Sequence, residues 1–405
     1  MKKFFDIKEI EEVYTKIKDY IETTPLKYAQ HLSNATNKQV WLKLENFQKT
    51  GSFKIRGALN KIINLSDQDK QNGLIAASAG NHAQGVALSA SIMGIESTIV
   101  MPVTAPISKI QATKNYGANV VLHGNYFDDS LKKAKELAEK NNLTLVHAFA
   151  DIDVIKGQST IAYELINQLK DFNVCLVPIG GGGIMSGISH FLKQYNPNIR
   201  IIGVEAENVN SYQQARQINA PIAIKGKPSI ADGIAVKEVS PLTFEILNEN
   251  VDEVVTVSEN EIAQAMLFLL EKCKIVTEGS GAVTTAALLF NKIKNIDSKD
   301  KIIGIVTGGN VDITLIDNII NYALIKNHRR IVISINILNN NKDLQTLLGI
   351  IEECKAKLFK IQSTKRKNNL SLDKTNVKLV IDISDFEQEK QIKDKIKEHN
   401  FEIID

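Results

Sequence analysis

The sequence predicts an α/β protein made of two parallel-sheet units followed by a small ferredoxin-like domain. Short β-branched runs alternate with helical patterns as far as about residue 325, the arrangement of parallel strands covered by helices on both faces. More than eight such runs occupy that span, which fits two packed units better than one. Beyond about residue 328 the order becomes strand, helix, strand, strand, helix, strand, that of a ferredoxin-like domain.

From the N-terminus, Asp6 and Glu9 form a capping box, and Ile7, Ile10, Val13, Ile17 and Ile21 recur at helical spacing. Strands are predicted at 40–44, 74–77, 98–101, 119–122, 144–147, 174–179, 200–205, 253–257 and 302–306. Helical patterns at 128–141, 157–169, 184–194 and 259–272 lie between them. Further on, strands are predicted at 330–337, 356–362, 377–383 and 401–404, and helices at 342–354 and 387–399. The Asn339-Asn340-Asn341 and Lys365–Asn369 runs read as solvated turns. Open α/β sheets bind ligands beyond the carboxyl ends of their strands, so the loops there are where function is expected.

A chain of 405 residues with 23% charged and 43% hydrophobic residues has the balance of a soluble protein of two or three domains. A formal charge of +3 gives no reason to expect nucleic acid or an anionic membrane as partner. Met1-Lys2-Lys3-Phe4-Phe5 imitates the start of a secretory signal. Asp6, Lys8, Glu9, Glu11 and Glu12 then interrupt any apolar core, so no signal peptide is expected. No apolar run reaches the length of a membrane span. Cys175, Cys273 and Cys354 lie far apart in apolar or helical surroundings. They read as free buried thiols of a reducing compartment, and a cytoplasmic location is expected.

Four segments could carry chemistry. GSFKIRGA, residues 51–58, places Lys54 at the start of a helix beside Phe53 and small residues. A lysine there is ordinarily a solvated charge; in apolar surroundings its amine loses a proton more readily and can form a Schiff base. ASAGNHAQG, residues 77–85, follows a predicted strand. A strand, a small-residue turn and a helix start gather several main-chain N–H groups around one point, which suits a carboxylate or a phosphate. Asn81 and His82 stand at its mouth. No carboxylate is identified to orient His82 as a base, and a helix-start residue with a satisfied imidazole is the alternative reading.

PIGGGGIMSGI, residues 178–188, contains four consecutive glycines, entropically costly unless unusual dihedrals or close backbone approach are needed. A phosphate held by amides at a helix N-terminus supplies that need. No Gly-Lys-Ser/Thr follows, so this is not a Walker loop. Glu205, after the next strand, keeps a nicotinamide-dependent oxidoreductase open. VTGGNVD, residues 306–312, presents the Thr307 hydroxyl at the end of a strand, either to meet a ring nitrogen or within a turn that caps the next helix.

Together and in this order, the four segments resemble the fold-type II pyridoxal-phosphate enzymes, and among them the threonine ammonia-lyases, over about residues 5–325. Ile55-Arg56-Gly57 follow the lysine, where cysteine synthases and threonine synthases carry an Asp. The resemblance implies two α/β units of the tryptophan-synthase-β kind, a smaller one at about 45–150 and a larger one from 1–44 with 151–328. The remaining residues, 329–405, resemble an ACT regulatory domain. The implied cofactor is pyridoxal 5′-phosphate, held covalently by Lys54 and packed against Phe53. Asn81 would bond its phenolic oxygen, Thr307 its ring nitrogen, and the amides of Gly180, Gly181, Gly182, Gly183 and Ile184 its phosphate. Ser78, Ala79, Asn81 and His82 would surround the substrate carboxylate. Glu278 in EGSGA and Gly233 in IADG match the family without a derivable role.

The implied reaction removes the α-proton with Lys54 and expels the β-hydroxyl, converting threonine to 2-oxobutanoate and ammonia, and serine to pyruvate. A neutral Thr307 hydroxyl would leave the ring a modest electron sink, which elimination tolerates. Serine racemase is the nearest rival, but its second proton donor, a Ser, is here Ala79. Racemases also hold a cation near the position of Glu205; with Glu207, Asn210 and Ser211 that set is incomplete, and no metal is expected. In the ACT-like domain Asn340-Asn341-Lys342-Asp343 replaces the usual Asp-Arg-Pro-Gly turn, leaving open an amino-acid effector or a purely dimerising role. A homodimer or homotetramer is expected, in isoleucine biosynthesis or threonine catabolism. A catalytically silent amino-acid sensor is disfavoured because both Lys54 and Asn81 are retained.

Overall fold

The computed structural model describes residues 3–364 and 371–404; the Lys365–Asn369 run, expected as a turn, lies outside the described residues. Contacts divide the chain into two units, Met1–Asp312 and Ile313–Asp405. In the first unit the strands are β1 (Leu26–Tyr28), β2 (Gln39–Leu44), β3 (Leu74–Ala77), β4 (Ser97–Met101), β5 (Asn119–Leu122), β6 (Thr144–Leu145), β7 (Val174–Pro178), β8 (Arg200–Ala206), β9 (Glu253–Val257) and β10 (Lys301–Val306). One sheet has the order β1-β2-β10-β7-β8-β9, parallel except for β1. The other, β5-β4-β3-β6, is parallel throughout.

The apolar runs form central strands because helices cover both faces and leave no polar side to alternate. Every residue of β7 is buried, and Val177, Ile179, Met185, Ile188 and Phe191 belong to one core cluster. The helix Ile7–Ile17 carries the Asp6–Glu9 capping box, with Ile10, Val13 and Ile17 buried. Two predicted elements of the first unit end more than one residue early. The 144–147 strand ends at Leu145: the Val146 N–H still bonds the Ile75 carbonyl, but the Val146 and Ala148 carbonyls turn to side chains of other segments. The helix from Glu259 is α-helical to Phe268 and closes with a π-turn, Leu269–Cys273, ended by Lys274 in left-handed geometry. Cys175 and Cys354 are buried free thiols, whereas Cys273, expected to be buried, is half-exposed in that turn. No helix of the described residues is long and apolar enough to cross a membrane.

Topology sends the chemically promising loops to the carboxyl ends of strands. The Lys54 segment follows β2, Ser78–His82 follows β3, Val146–Ala150 follows β6, the glycine loop follows β7, and Thr307–Asn310 follows β10.

A buried charge quartet ties β2 to the helices Lys54–Ile63 and Ile152–Gln168. The Arg56 guanidinium donates to Glu45 at 2.8 and 2.9 Å and to Glu164 at 2.7 and 3.0 Å. Lys43 donates to Glu164 at 2.5 Å, to the Thr24 carbonyl at 2.7 Å and to Gln168 at 3.0 Å. The Arg56, Lys43 and Glu45 side chains are fully buried, and that of Glu164 is 2% exposed. Two cations thus face two anions with their hydrogen bonds satisfied, the condition under which buried charge is tolerated.

In the second unit the helix Ile313–Lys326 precedes β11 (Arg330–Leu338), β12 (Lys357–Thr364), β13 (Lys374–Asp382) and β14 (Ile403–Ile404). Their order, β12-β13-β11-β14, is antiparallel at every pairing. With helices Asn341–Glu353 and Phe386–Glu398 it completes the ferredoxin-like arrangement. Ile331, Ile333, Ile335 and Ile337 of β11 meet Leu347, Ile350, Leu379 and Ile392 in its core. The turn that lacks Pro-Gly is closed by capping instead: Asn340 accepts from the Asp343 N–H at 2.9 Å, and Asp343 accepts from the Leu338 N–H at 3.0 Å.

Glu164→Ala leaves Lys43 and Arg56 short of a buried counter-charge. It is expected to lower the unfolding free energy by roughly 3–5 kcal/mol in guanidinium denaturation. A loss well under 1 kcal/mol would contradict the quartet's structural weight.

Candidate active site

Lys54 opens the helix Lys54–Ile63, and its position is set by three contacts of the chain before it. The Phe53 N–H donates to the Thr307 carbonyl at 3.1 Å, the Gly309 N–H donates to the Gly51 carbonyl at 2.9 Å, and Ser52 bridges to Gly308. Gly85, in the helix Asn81–Ile92, packs against the Lys54 backbone; a Cβ there would lie 3.1 Å from the Lys54 carbonyl carbon. The lysine segment is therefore clamped between the loops after β3 and β10.

The Lys54 Nζ lies 3.4 Å from the Ala148 carbonyl and 5.0 Å from the centre of the Phe53 ring. Burial pushes its amine down to about 8, while the nearby Glu278 carboxylate pulls the other way. An amine so shifted is substantially unprotonated at mildly alkaline pH, which a nucleophile or base requires.

Val146–Phe149 joins the parts of the site. The Val146 carbonyl accepts from His82 Nε2 at 2.9 Å, the Ala148 carbonyl accepts from Lys54, and the Phe149 side chain lies against Gly181 and Gly183. His147 Nδ1 accepts from the Phe149 and Ala150 N–H groups at 3.2 and 2.9 Å. Burial, then the Lys54 charge, lowers His82 to about 3, and the same two causes lower His147. Both shifts favour the neutral imidazole. His82 Nδ1 is buried without a partner, so the satisfied imidazole considered from the sequence is only half right.

The glycine loop is closely packed and rich in free main-chain N–H groups. Gly180 faces the Ile234 Cα, which would lie 2.8 Å from an added Cβ, and Gly182 holds φ +88° against Thr243. Residues 180–185 are buried, and none of their main-chain N–H groups has an acceptor among the described residues. Six unpaired amides in a buried loop at a helix N-terminus are unfavourable unless an anion receives them. Ser78–His82 repeats this on a smaller scale. Ser78 Oγ accepts from the Gly80 N–H at 3.1 Å, and the N–H groups of Ala79, Asn81 and His82 have no acceptor among the described residues.

Thr307 is 3% exposed, and its Oγ1 has no partner, so it does not cap the following chain. Asn81 donates from Nδ2 to Glu278 Oε1 at 2.7 Å and accepts at Oδ1 from Asn310 at 2.8 Å. Ser280 Oγ also donates to Glu278 Oε1, at 2.6 Å. Burial raises the Glu278 pKa, with Asp232 adding to the effect. Glu278 and Gly233, given no role from sequence, meet here: an added Cβ on Gly233 would lie 3.3 Å from Glu278 Oε1. Sequence reasoning gave Val146–Phe149 no functional role, reading 146–147 as the end of a strand, and overlooked Asn310, although VTGGNVD contains it. Glu205, weighed as a cation ligand, instead accepts the Tyr212 and Gln213 N–H groups at 2.9 and 2.8 Å.

A family model described as "Pyridoxal-phosphate dependent enzyme" matches residues 17–308. The chain is 43% identical over 398 residues to the L-threonine ammonia-lyase of Thermotoga maritima, covering 98% of each. Its fold is similar to maize serine racemase, with TM-score 0.75, 33% identity and coverage of 80% of this chain and 100% of that one. It is likewise similar to the processed form of threonine deaminase isoform 2 from Solanum lycopersicum, with TM-score 0.73, 36% identity and coverage of 79% and 94%.

Acylation of Lys54 in the cofactor-free protein, followed by peptide mass spectrometry, is expected to speed up with rising pH and level off above about 8, because only the free amine reacts. A midpoint near that of ordinary surface lysines, about 10.4, would contradict the desolvated site.

Proposed function

Because the chain belongs to the family of pyridoxal-phosphate dependent enzymes, we propose that it is an L-threonine ammonia-lyase, forming 2-oxobutanoate and ammonia, with L-serine as a second substrate. The observation that carries the proposal is a desolvated lysine amine linked, through Val146–Phe149, to a buried cradle of unpaired amides. The likeness to a Thermotoga maritima protein named for this reaction extends over nearly the whole chain.

The residues present fit the cofactor. Gly180, Gly181, Gly182, Gly183 and Ile184 offer amides to its phosphate. Lys54 offers the amine for its aldehyde, and Phe53 the apolar surface beside that amine. Thr307 Oγ1, buried and unpartnered, is the group for the ring nitrogen. One Asn81 N–H remains after the bond to Glu278 and is assigned to the phenolic oxygen. When bound, the cofactor supplies a conjugated ring that spreads the negative charge left at the substrate Cα.

Ser78, Ala79, Asn81 and His82 orient the substrate, the free N–H groups of this turn receiving its carboxylate. Lys54 Nζ accepts the α-proton, a role suited to an amine that burial brings down to about 8. His82 and His147, both held neutral, add no positive charge against that transfer. A hydroxyl at Thr307 leaves the ring nitrogen without a carboxylate to keep it protonated. That choice of residue would suit elimination of the β-hydroxyl. Ala79, whose methyl side chain carries no exchangeable proton, favours elimination over the racemase reading. The C-terminal unit is assigned to pairing with a second copy of the chain or to binding an amino-acid effector, and a cytoplasmic location is retained as part of the proposal.

L-Threonine added to protein reconstituted with pyridoxal phosphate is expected to yield 2-oxobutanoate, with Lys54→Ala slower by more than about 10³-fold. D-serine formed faster than pyruvate from L-serine would instead favour the racemase. Thr307→Asp is expected to keep the cofactor bound and to lower threonine turnover roughly tenfold or more, about 1.4 kcal/mol in the barrier. Unchanged turnover and spectrum would contradict the electronic argument.

A further inference from the structure

We propose that Asn310 is a positioning residue that fixes the orientation of the Asn81 amide, so that an N–H rather than a carbonyl of Asn81 faces the cofactor. The inference rests on the reading above, in which Asn81 meets the phenolic oxygen of pyridoxal phosphate.

An asparagine amide can be placed two ways round, and only its partners decide which is right. Asn310 has one partner that cannot be reversed. Its Nδ2 lies 2.6 Å from the main-chain carbonyl of Thr50, which only accepts. The nitrogen of Asn310 must therefore lie on that side. Its second N–H points to Asn81 at 2.8 Å, so the Asn81 atom there must be the oxygen. That leaves Asn81 Nδ2 facing Glu278 Oε1 at 2.7 Å. Glu278 Oε1 receives the Ser280 hydroxyl as well. One Asn81 N–H is spent on Glu278; the other has no acceptor among the described residues. The orientation thus starts at a backbone carbonyl and passes through two amides.

Asn310 is itself held by geometry that no ordinary residue pair supplies. Thr50 has φ 67° and ψ 9°, and Gly51 has φ +69°, with the Asn310 Oδ1 lying where a Cβ on Gly51 would go. A threonine in left-handed geometry is unusual and strained, and the Asn310 bond to its carbonyl, with the Gly309-to-Gly51 bond beside it, holds the turn closed. This turn ends three residues before Lys54. The same residue therefore connects the lysine segment to the asparagine that faces the cofactor.

A role through Asn81 and a merely structural role make different demands on a double-mutant cycle. Reconstituted holoenzymes of wild type, Asn81→Ala, Asn310→Ala, the near-isosteric Asn310→Asp, and the Asn81→Ala/Asn310→Ala pair would be compared by visible absorption spectrum, apparent affinity for pyridoxal phosphate, and kcat and KM for L-threonine. Asn81→Ala and Asn310→Ala are expected to shift the spectrum in the same direction and each to lower kcat about tenfold, the scale of one lost hydrogen bond. KM should change little, and the pair should be no worse than about twofold beyond Asn81→Ala alone. Asn310→Asp keeps the side-chain shape but puts a charged acceptor where both donors stood, and should shift the spectrum and lower kcat at least as far as Asn310→Ala; it serves if the alanine variant fails to fold. Multiplying losses in the pair, or a wild-type spectrum in both Asn310 variants, would overturn the inference. An unaltered spectrum in Asn81→Ala would overturn it too, by removing the contact it depends on. Absence of any visible cofactor band in the wild type would count instead against the proposed function.

Discussion

The seat of the lysine helix rests on the buried exchange of charge among Arg56, Glu45, Glu164 and Lys43. Arg56 sits two residues after Lys54 and is pinned by both carboxylates, so the start of the lysine helix is fixed by bonds that do not involve the lysine. Burial opposes the Arg56 charge, yet Glu45 and Glu164 outweigh it and raise its pKa. Lys43 shares Glu164 but is lowered by burial, with that carboxylate acting against the shift. The cluster holds together because its charges balance; removing one member would strand the others in a medium that cannot solvate them.

A few residues away the same principle works in reverse. Lys54 has no hydrogen-bonded carboxylate among the described residues, only the field of Glu278, and burial brings its amine down to about 8. Arg56 and Lys54 thus show two outcomes for a buried cation on one helix turn: paired and permanently charged, or unpaired and free to lose its proton. His82 and His147 belong to the second kind. Unpaired amides at residues 180–185 complete the picture, since a lysine that gives up its proton readily and a turn of free N–H groups form a site organised by the fold itself.

Much of this was legible in the sequence, for identifiable reasons. Parallel strands such as Val174–Pro178 are buried on both faces and so appear as unbroken apolar runs. Four consecutive glycines announce close approach, and Phe149, Ile234 and Thr243 occupy the space their side chains would need. The antiparallel edge strand Leu26–Tyr28 was not legible, being three residues long and without a buried one. Val146–Phe149 was mistaken in part for strand, because its apolar residues serve a loop whose carbonyls face Lys54 and His82. The Asn81–Glu278 and Asn81–Asn310 bonds join residues 197 and 229 positions apart, a separation no local pattern encodes. The domain change expected near residue 328 is placed by the contacts at Asp312–Ile313, since the helix Ile313–Lys326 continues the earlier alternation in sequence while grouping with the later sheet in space.

The proposed chemistry requires the Lys54 side chain to form a covalent bond. Borohydride reduction of the protein reconstituted with pyridoxal phosphate, followed by peptide mapping, tests it most directly. The expected result is a single pyridoxyl-lysine on the peptide containing Lys54; an unmodified Lys54, with the label on another lysine or on none, would contradict it.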